Sequence, residues 1–289
     1  MQMQIVECPR DAMQGWKHPI PTGRKVDYLN LLLRVGFHTL DFGSFVSPRA
    51  VPQMADTRDV LAGLRWRDSK TRLLAIVLNE RGAHEALTFE GVSCLGFPLS
   101  VSETFQRRNG NCSVHEGFER FRRISELCSE TGREAVAYLS MAFGNPYGDP
   151  HDSDAVISWA GQCLEAGASV ISLADTVGLA TPSEVGSLVE AVSSRFPESV
   201  VGVHLHAGPG EGDAKLSAAF DAGCRRFDAA MGGIGGCPMA GDDLVGNIDT
   251  DGLLRFLEER GSETGIDSAA FLLAKASADS LFGAIENEE

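Results

Sequence analysis

The residues in this chain with the clearest capacity for chemistry are two histidines one residue apart, in Val203-His204-Leu205-His206. In an extended segment alternate side chains share a face, so His204 and His206 project side by side and Leu205 faces away. Two neutral imidazoles so placed can share one metal ion. The run before them, Ser199-Val200-Val201-Gly202-Val203, is apolar and β-branched, as suits a buried parallel strand. The histidines then lie at its C-terminal end, where parallel α/β folds keep their chemistry. Asp11, Asp41 and Asp175 follow or end other strand-like segments. Asn247 comes after the glycine-rich run Met231-Gly232-Gly233-Ile234-Gly235-Gly236-Cys237-Pro238. Asp11, His204, His206 and the amide oxygen of Asn247 make a nitrogen and oxygen donor set with no thiolate, which suits Mg²⁺ or Mn²⁺. Zn²⁺ with water in an open position is the alternative ion.

The elements that must position these residues follow from periodicity and punctuation. Strands are predicted over residues 4–8, 39–42, 72–78, 92–99, 135–140, 170–175, 199–206 and 226–230. Helices are predicted between them. One opens at Pro21-Thr22 and stops at Gly36; another covers 51–64; a third runs through Ala83 and Leu87. The helix from Ser113 has a capping-box pattern with Glu116, and the helix from Thr181 carries Pro182 in its first turn. Further helices are expected over 152–166, 212–222, 251–259 and 268–282. Strict alternation implies a parallel sheet. Eight units in this length predict a closed (β/α)₈ TIM barrel with an extra C-terminal helix, one domain over residues 1–289. A doubly wound open sheet is the alternative, but no GxGxxG follows the first strand. In the barrel the three carboxylates and two histidines share one rim.

Composition narrows the function classes. Of 289 residues 43% are hydrophobic and 22% charged, enough for one large core. A formal charge of -15 argues against a nucleic-acid partner and requires a local positive patch for any anionic substrate. No apolar run reaches membrane-spanning length and no signal peptide is visible. Seven cysteines, odd in number and without a CxxC pair, read as reduced thiols. The expected location is cytoplasmic. Cys8, Cys94, Cys128, Cys163 and Cys224 are expected as buried small residues, and Trp16, Trp66 and Trp159 as packing residues.

These residues resemble the 3-hydroxy-3-methylglutaryl-CoA lyase family, within the metal-dependent TIM-barrel lyases and Claisen-type synthases. The resemblance covers nearly the whole chain. It rests on Pro9-Arg10-Asp11-Ala12-Met13-Gln14, Ser44-Phe45-Val46-Ser47-Pro48, Val51-Pro52-Gln53-Met54, Arg108-Asn109 with Asn111-Cys112-Ser113, and Ser172-Leu173-Ala174-Asp175-Thr176-Val177-Gly178. The His-x-His pair, Gly235-Gly236-Cys237-Pro238 and Gly246-Asn247 complete it. The Ser-Phe-Val-Ser-Pro and Gly-Gly-Cys-Pro stretches are specific to the lyase; Arg-Asp, His-x-His and the Asn are shared by the wider group.

The resemblance implies cleavage of 3-hydroxy-3-methylglutaryl-CoA to acetyl-CoA and acetoacetate, as in leucine degradation and ketone body metabolism. It implies that Asp11, His204, His206 and Asn247 hold a divalent cation, Mg²⁺ or Mn²⁺, and that Arg10 faces the thioester carbonyl. Asp41 and Asp175 join the acid/base network, and Cys237 stands on a loop closing the site. Gln14 and Ser44 become substrate contacts. Arg107-Arg108, at the end of the fourth strand of so acidic a chain, is either a solvated pair or, through Arg108, a contact for the CoA phosphates, and a homodimer is the expected assembly. A retro-Claisen cleavage needs these parts: a base for the tertiary hydroxyl, a Lewis acid, a cation for the enolate and an acid to protonate it. The chain departs from the family pattern in several places. Ala12-Met13 stands for Gly-Leu, Asp41 for Glu, Asn145 for Cys and Met239 for Tyr, while Ala207-Gly208-Pro209-Gly210 replaces polar residues and the stretch from Cys237 to Asn247 is one residue longer. None of these touches an expected metal ligand. A related enzyme acting on another hydroxy acyl-CoA or keto acid is the alternative function, and a catalytically inactive binding barrel is a second.

Overall fold

A computed structural model describes residues 3–236 and 245–283. Among these, eight parallel strands close a barrel in sequence order: β1 (Gln4–Glu7), β2 (Thr39–Ser44), β3 (Arg72–Ile76), β4 (Val92–Ser100), β5 (Glu134–Ser140), β6 (Val170–Asp175), β7 (Val200–Leu205) and β8 (Arg226–Ala229). The ring is shut by β1 pairing with β8, Val6 opposite Asp228. The open-sheet alternative is excluded by that pairing. Apolar side chains such as Leu95, Ile171 and Val203 face outward into the main core under the helices. A smaller cluster of Leu74, Ile76, Cys94, Val136, Tyr138 and Val170 forms a second core.

The outer layer contains α2 (Thr22–Val35), α3 (Thr57–Gly63), α4 (Glu80–Leu87), α6 (Val114–Glu130), α7 (Ser153–Glu165), α8 (Pro182–Arg195), α9 (Gly212–Asp221) and α10 (Thr250–Glu259). The extra C-terminal helix, α11 (Ser268–Phe282), lies against α2, where Phe282 meets Trp16 and Tyr28 edge-on at 5.2 and 6.2 Å. Helix boundaries follow local chemistry. The Ser113–Glu116 and Thr181–Glu184 capping boxes both close, and α2 stops at Gly36 in the left-handed region.

The structure corrects one predicted helix and adds two. The helix predicted over 51–64 divides into a 3-10 turn, Pro52–Met54, and the short α3. A six-residue helix, α1 (Pro9–Gln14), starts at once after β1, with Pro9 in its first turn. A further helix, α5 (Glu103–Gly110), precedes α6 and places Arg107 and Arg108 in its last turn rather than at the end of β4. Ser102 caps it by accepting from the Phe105 amide. The cysteines expected as small core residues are buried and free, and Cys112 joins them. No described helix is long and apolar enough to cross a membrane.

Candidate active site

The C-terminal ends of the strands surround a cavity of about 120 Å³. Arg10, Asp11, Gln14, Ser44, His204 and His206 line it, all singled out in the sequence. The ligand atoms of Asp11, His204 and His206 lie within 4.8 Å of one another. Each histidine is fixed from behind. His206 Nδ1 lies 2.8 Å from the Val245 carbonyl, which can only accept, so the proton sits on Nδ1 and Nε2 is free to donate its lone pair. His204 Nδ1 is 3.2 Å from Asp228 Oδ2 on β8. A carboxylate or carbonyl behind a histidine is the usual support for a metal-binding imidazole. Burial would lower the His204 pKa, but Asp228 beside it more than offsets this and raises it. Burial, then His204, lowers that of His206.

Asp11 is held on several sides. Arg10 Nη1 donates to its Oδ1 at 3.1 Å, and Gln14 Nε2 to the same oxygen at 2.7 Å. Burial would raise this carboxyl, yet Arg10 and the two histidines hold it down at about 2. The Asn247 Nδ2 amide donates to Asp11 Oδ2 at 2.7 Å and to the Ile234 carbonyl at 2.9 Å. Asn247 therefore meets the site through its nitrogen, and its oxygen comes round only if the amide turns over. His206 pairs across an isolated antiparallel bridge with Asn247. Gly235 has a φ of +119°, and a side chain there would overlap the Asn247 amide and the Asp11 carboxylate. Oxygen and nitrogen donors, two lone pairs facing one space and a low carboxyl pKa fit a hard divalent cation.

Asp41 receives Arg10 Nε at 3.0 and 3.2 Å and Nη2 at 2.6 Å. Burial pushes its carboxyl up to about 6 against the pull of Arg10. Asp175 points elsewhere. It stands in register with Leu205, while its neighbour Ala174 is in register with His204 and lines the cavity. Lys215 of α9 reaches Asp175 Oδ2 at 2.7 Å, the His206 carbonyl at 2.9 Å and the Gly178 carbonyl at 3.1 Å. The Ala180 amide donates to both Asp175 oxygens at 3.2 Å. Arg108 is exposed and stacks its guanidinium 4.5 Å over the Tyr147 ring; its neighbour Asn109 lines the cavity. Cys237 lies outside the described residues.

Sequence reasoning missed Tyr138, Thr176, Asp228 and Lys215. Tyr138 lines the cavity edge-on to His204 at 6.0 Å, and Thr176 lines it while its hydroxyl accepts from the Met141 amide. Asp228 carried a signal, since alternation in β8 puts it on the face opposite Phe227. Lys215 carried one too, as a lysine beside Leu216 on the buried face of α9.

The HMGL-like family model matches residues 2–277. The chain belongs to the HMGL-like family. Hydroxymethylglutaryl-CoA lyase of Pseudomonas mevalonii is 34% identical, over 91% of this chain and 86% of that one. The 3-hydroxy-3-isohexenylglutaryl-CoA/hydroxy-methylglutaryl-CoA lyase of Pseudomonas aeruginosa is also 34% identical, over 94% and 90%. The structure of an HMG-CoA lyase from Acinetobacter baumannii in complex with coenzyme A and 3-methylmalate superposes with a TM-score of 0.90 at 33% identity, covering 98% of this chain and 92% of that chain. As a member of the HMGL-like family the chain is a carbon–carbon lyase of the barrel class that its strands build.

Proposed function

We propose that this protein is a divalent-metal-dependent lyase that cleaves 3-hydroxy-3-methylglutaryl-CoA to acetyl-CoA and acetoacetate. The observation that carries the reading is the convergence of Asp11, His204 and His206 beside Arg10 in one cavity. Those three residues, with Asn247 once its amide turns, would hold Mg²⁺ or Mn²⁺. When bound, that ion supplies Lewis-acid stabilisation for the substrate's hydroxyl and carboxylate oxygens.

The chain's own residues account for the remaining requirements. Loss of the tertiary hydroxyl proton lets the bond between C2 and C3 break; the electron pair goes to C2, giving the acetyl-CoA enolate, and C3 becomes the ketone of acetoacetate. Arg10 stabilises the enolate oxygen, while Asp41 keeps its guanidinium aimed. Asp41 belongs to the network that orients and moves protons, Asp175 supports the rim from behind through Lys215 and the His206 carbonyl, Gln14 and Ser44 contact the acyl group, and Arg108 meets the CoA phosphates. Cys237 protonates the enolate carbon; an ordinary thiol, with a pKa of about 8.5, is a donor at neutral pH. The setting is cytoplasmic.

A bulkier hydroxy acyl-CoA is a second reading. It is favoured by the apolar wall of Val46, Val51, Ile76 and Phe105 and by the name of the Pseudomonas aeruginosa relative. The deciding experiment assays acetoacetate from 3-hydroxy-3-methylglutaryl-CoA with protein stripped by chelator and then reloaded with Mg²⁺ or Mn²⁺. Activity should vanish on stripping and return on loading. Full activity in metal-free protein would overturn the reading.

A further inference from the structure

We propose that Glu7 is a positioning residue that ties the two ends of the segment 231–250 together behind the active site, and so places Gly235, Gly236 and Asn247 around Asp11. Its consequence for catalysis rests on the lyase reading; the tie itself rests on geometry. Glu7 ends β1 and is fully buried. It stands in register with Ala229, one residue out of phase with Asp228, so its side chain leaves the barrel wall on the helix side, away from the cavity. There its two oxygens divide. Oε1 accepts from the Met231 amide at 2.9 Å, and Oε2 accepts from the Thr250 hydroxyl at 2.6 Å.

Met231 and Thr250 bracket a stretch whose described parts meet Asp11 directly. The Gly236 amide lies 3.3 Å from Asp11 Oδ2, and Asn247 donates to the same oxygen. A second stitch crosses the same neck: Ala230 bridges Asp249, and Asp249 Oδ1 accepts from the Gly232 amide at 2.9 Å. Packing alone does not call for a carboxyl at position 7, because an apolar side chain fills such a space without a desolvation cost. Glu7 has no ion pair among the described residues. Burial pushes its carboxyl up to about 8, with the Thr250 and Met231 hydrogen bonds opposing and Asp249 adding to the rise. At neutral pH it is therefore mostly protonated, and in that form Oε2 carries the hydrogen and donates to the Thr250 oxygen, whose hydroxyl turns to accept; glutamine can imitate this form, its oxygen accepting from Met231 and its amide donating to Thr250.

The test compares Glu7→Gln, Glu7→Ala and Thr250→Val in the full chain, by amide hydrogen exchange, Mn²⁺ affinity and steady-state kinetics. Glu7→Ala should speed exchange over 231–249 but not in β4 and β5. It should weaken Mn²⁺ by about 10- to 100-fold, the range for residues that support metal ligands, and lower kcat more than it raises KM. Glu7→Gln should return all three to wild-type values. Thr250→Val should shift them in the same direction as Glu7→Ala, and it stands in should that variant not fold. Unchanged exchange and Mn²⁺ affinity in a folded Glu7→Ala or in Thr250→Val would overturn the proposal. So would faster exchange spread evenly over the molecule with kcat unchanged, which marks a packing residue. If wild-type protein neither binds Mn²⁺ nor cleaves 3-hydroxy-3-methylglutaryl-CoA, the lyase reading fails alone, and exchange over 231–249 still decides the tie.

Discussion

Arg10 has five N–H donors in a fixed fork. Nε and one Nη2 hydrogen go to Asp41, and the two on Nη1 go to Asp11 and Gln14. One Nη2 hydrogen is left for a substrate oxygen, on a guanidinium that cannot turn away. Because that donor matters most when charge appears, Arg10→Gln should lower kcat by about 10²–10³-fold with a much smaller change in KM. Steady-state kinetics decide this, and a variant that binds weakly but turns over normally would reassign Arg10 to ground-state binding. Behind His204, Asp228 holds the ring. Asp228→Asn should weaken metal binding by about 10–100-fold, read by calorimetry; unchanged affinity would leave Asp228 no orienting role. Cys237→Ala should keep thermal stability and metal content while losing most turnover. A loss of stability with kcat intact would instead make Cys237 a packing residue.

At the scale of elements, strand parity decides who faces the cavity. Asp41 and Ser44 are three residues apart, so a regular strand would point them to opposite faces. A register shift between Asp41 and Gly43 in β2 adds the extra residue, so Ser44 lines the cavity while Asp41 holds Arg10 at its wall. Asp175, one residue beyond the inward-facing Ala174, turns toward α9 and the Lys215 ammonium. Lys215 thus joins the ends of β6 and β7 through Asp175, Gly178 and the carbonyl of His206. Both charged side chains are almost wholly buried, at 4% and 2% exposure, so removing one leaves the other uncompensated. Lys215→Met should destabilise by about 3–5 kcal/mol, measured by urea unfolding. Adding Asp175→Asn should recover part of the loss. Simple additivity of the two changes would deny the pair any coupling.

Over the whole molecule, buried carboxyls set the response to pH. Glu7 rises from 4.5 to about 8 and Asp41 from 3.8 to about 6, both through burial. Between the unfolded and folded values the native state binds more protons, so stability is fullest below the unfolded values and is lost as pH rises through the folded ones. Asp11 has the opposite sign. Held at about 2, it contributes stability above 3.8 that is lost as pH falls toward 2. The fall in Tm between pH 4.5 and about 8 should be shallower in Glu7→Gln than in wild type, because that variant cannot release a proton. Equal slopes in thermal melts at constant ionic strength would show that Glu7 does not contribute. The acidic surface, at a formal -15, adds self-repulsion at the alkaline end of the same range.

By itself the sequence determined the barrel, because alternating β-branched and amphipathic runs admit few arrangements and their number matches a closed ring. It also brought three candidate ligands together: His204 and His206 share a face by two-residue periodicity, and Asp11 follows directly from β1. Only the tertiary structure decided which carboxylates serve the cavity. The bulge in β2 leaves no mark in composition, so Asp41 and Ser44 could not be seen to converge. Nor could the orientation of Asp175 be separated from its place on the rim. Lys215 meets Asp175 across 40 residues, and Glu7 meets Met231 and Thr250 across 224 and 243. The Glu7 contacts exist only once the ring closes β8 onto β1, and the Lys215 contact only once α9 packs beside the paired β6 and β7, since no local periodicity encodes either.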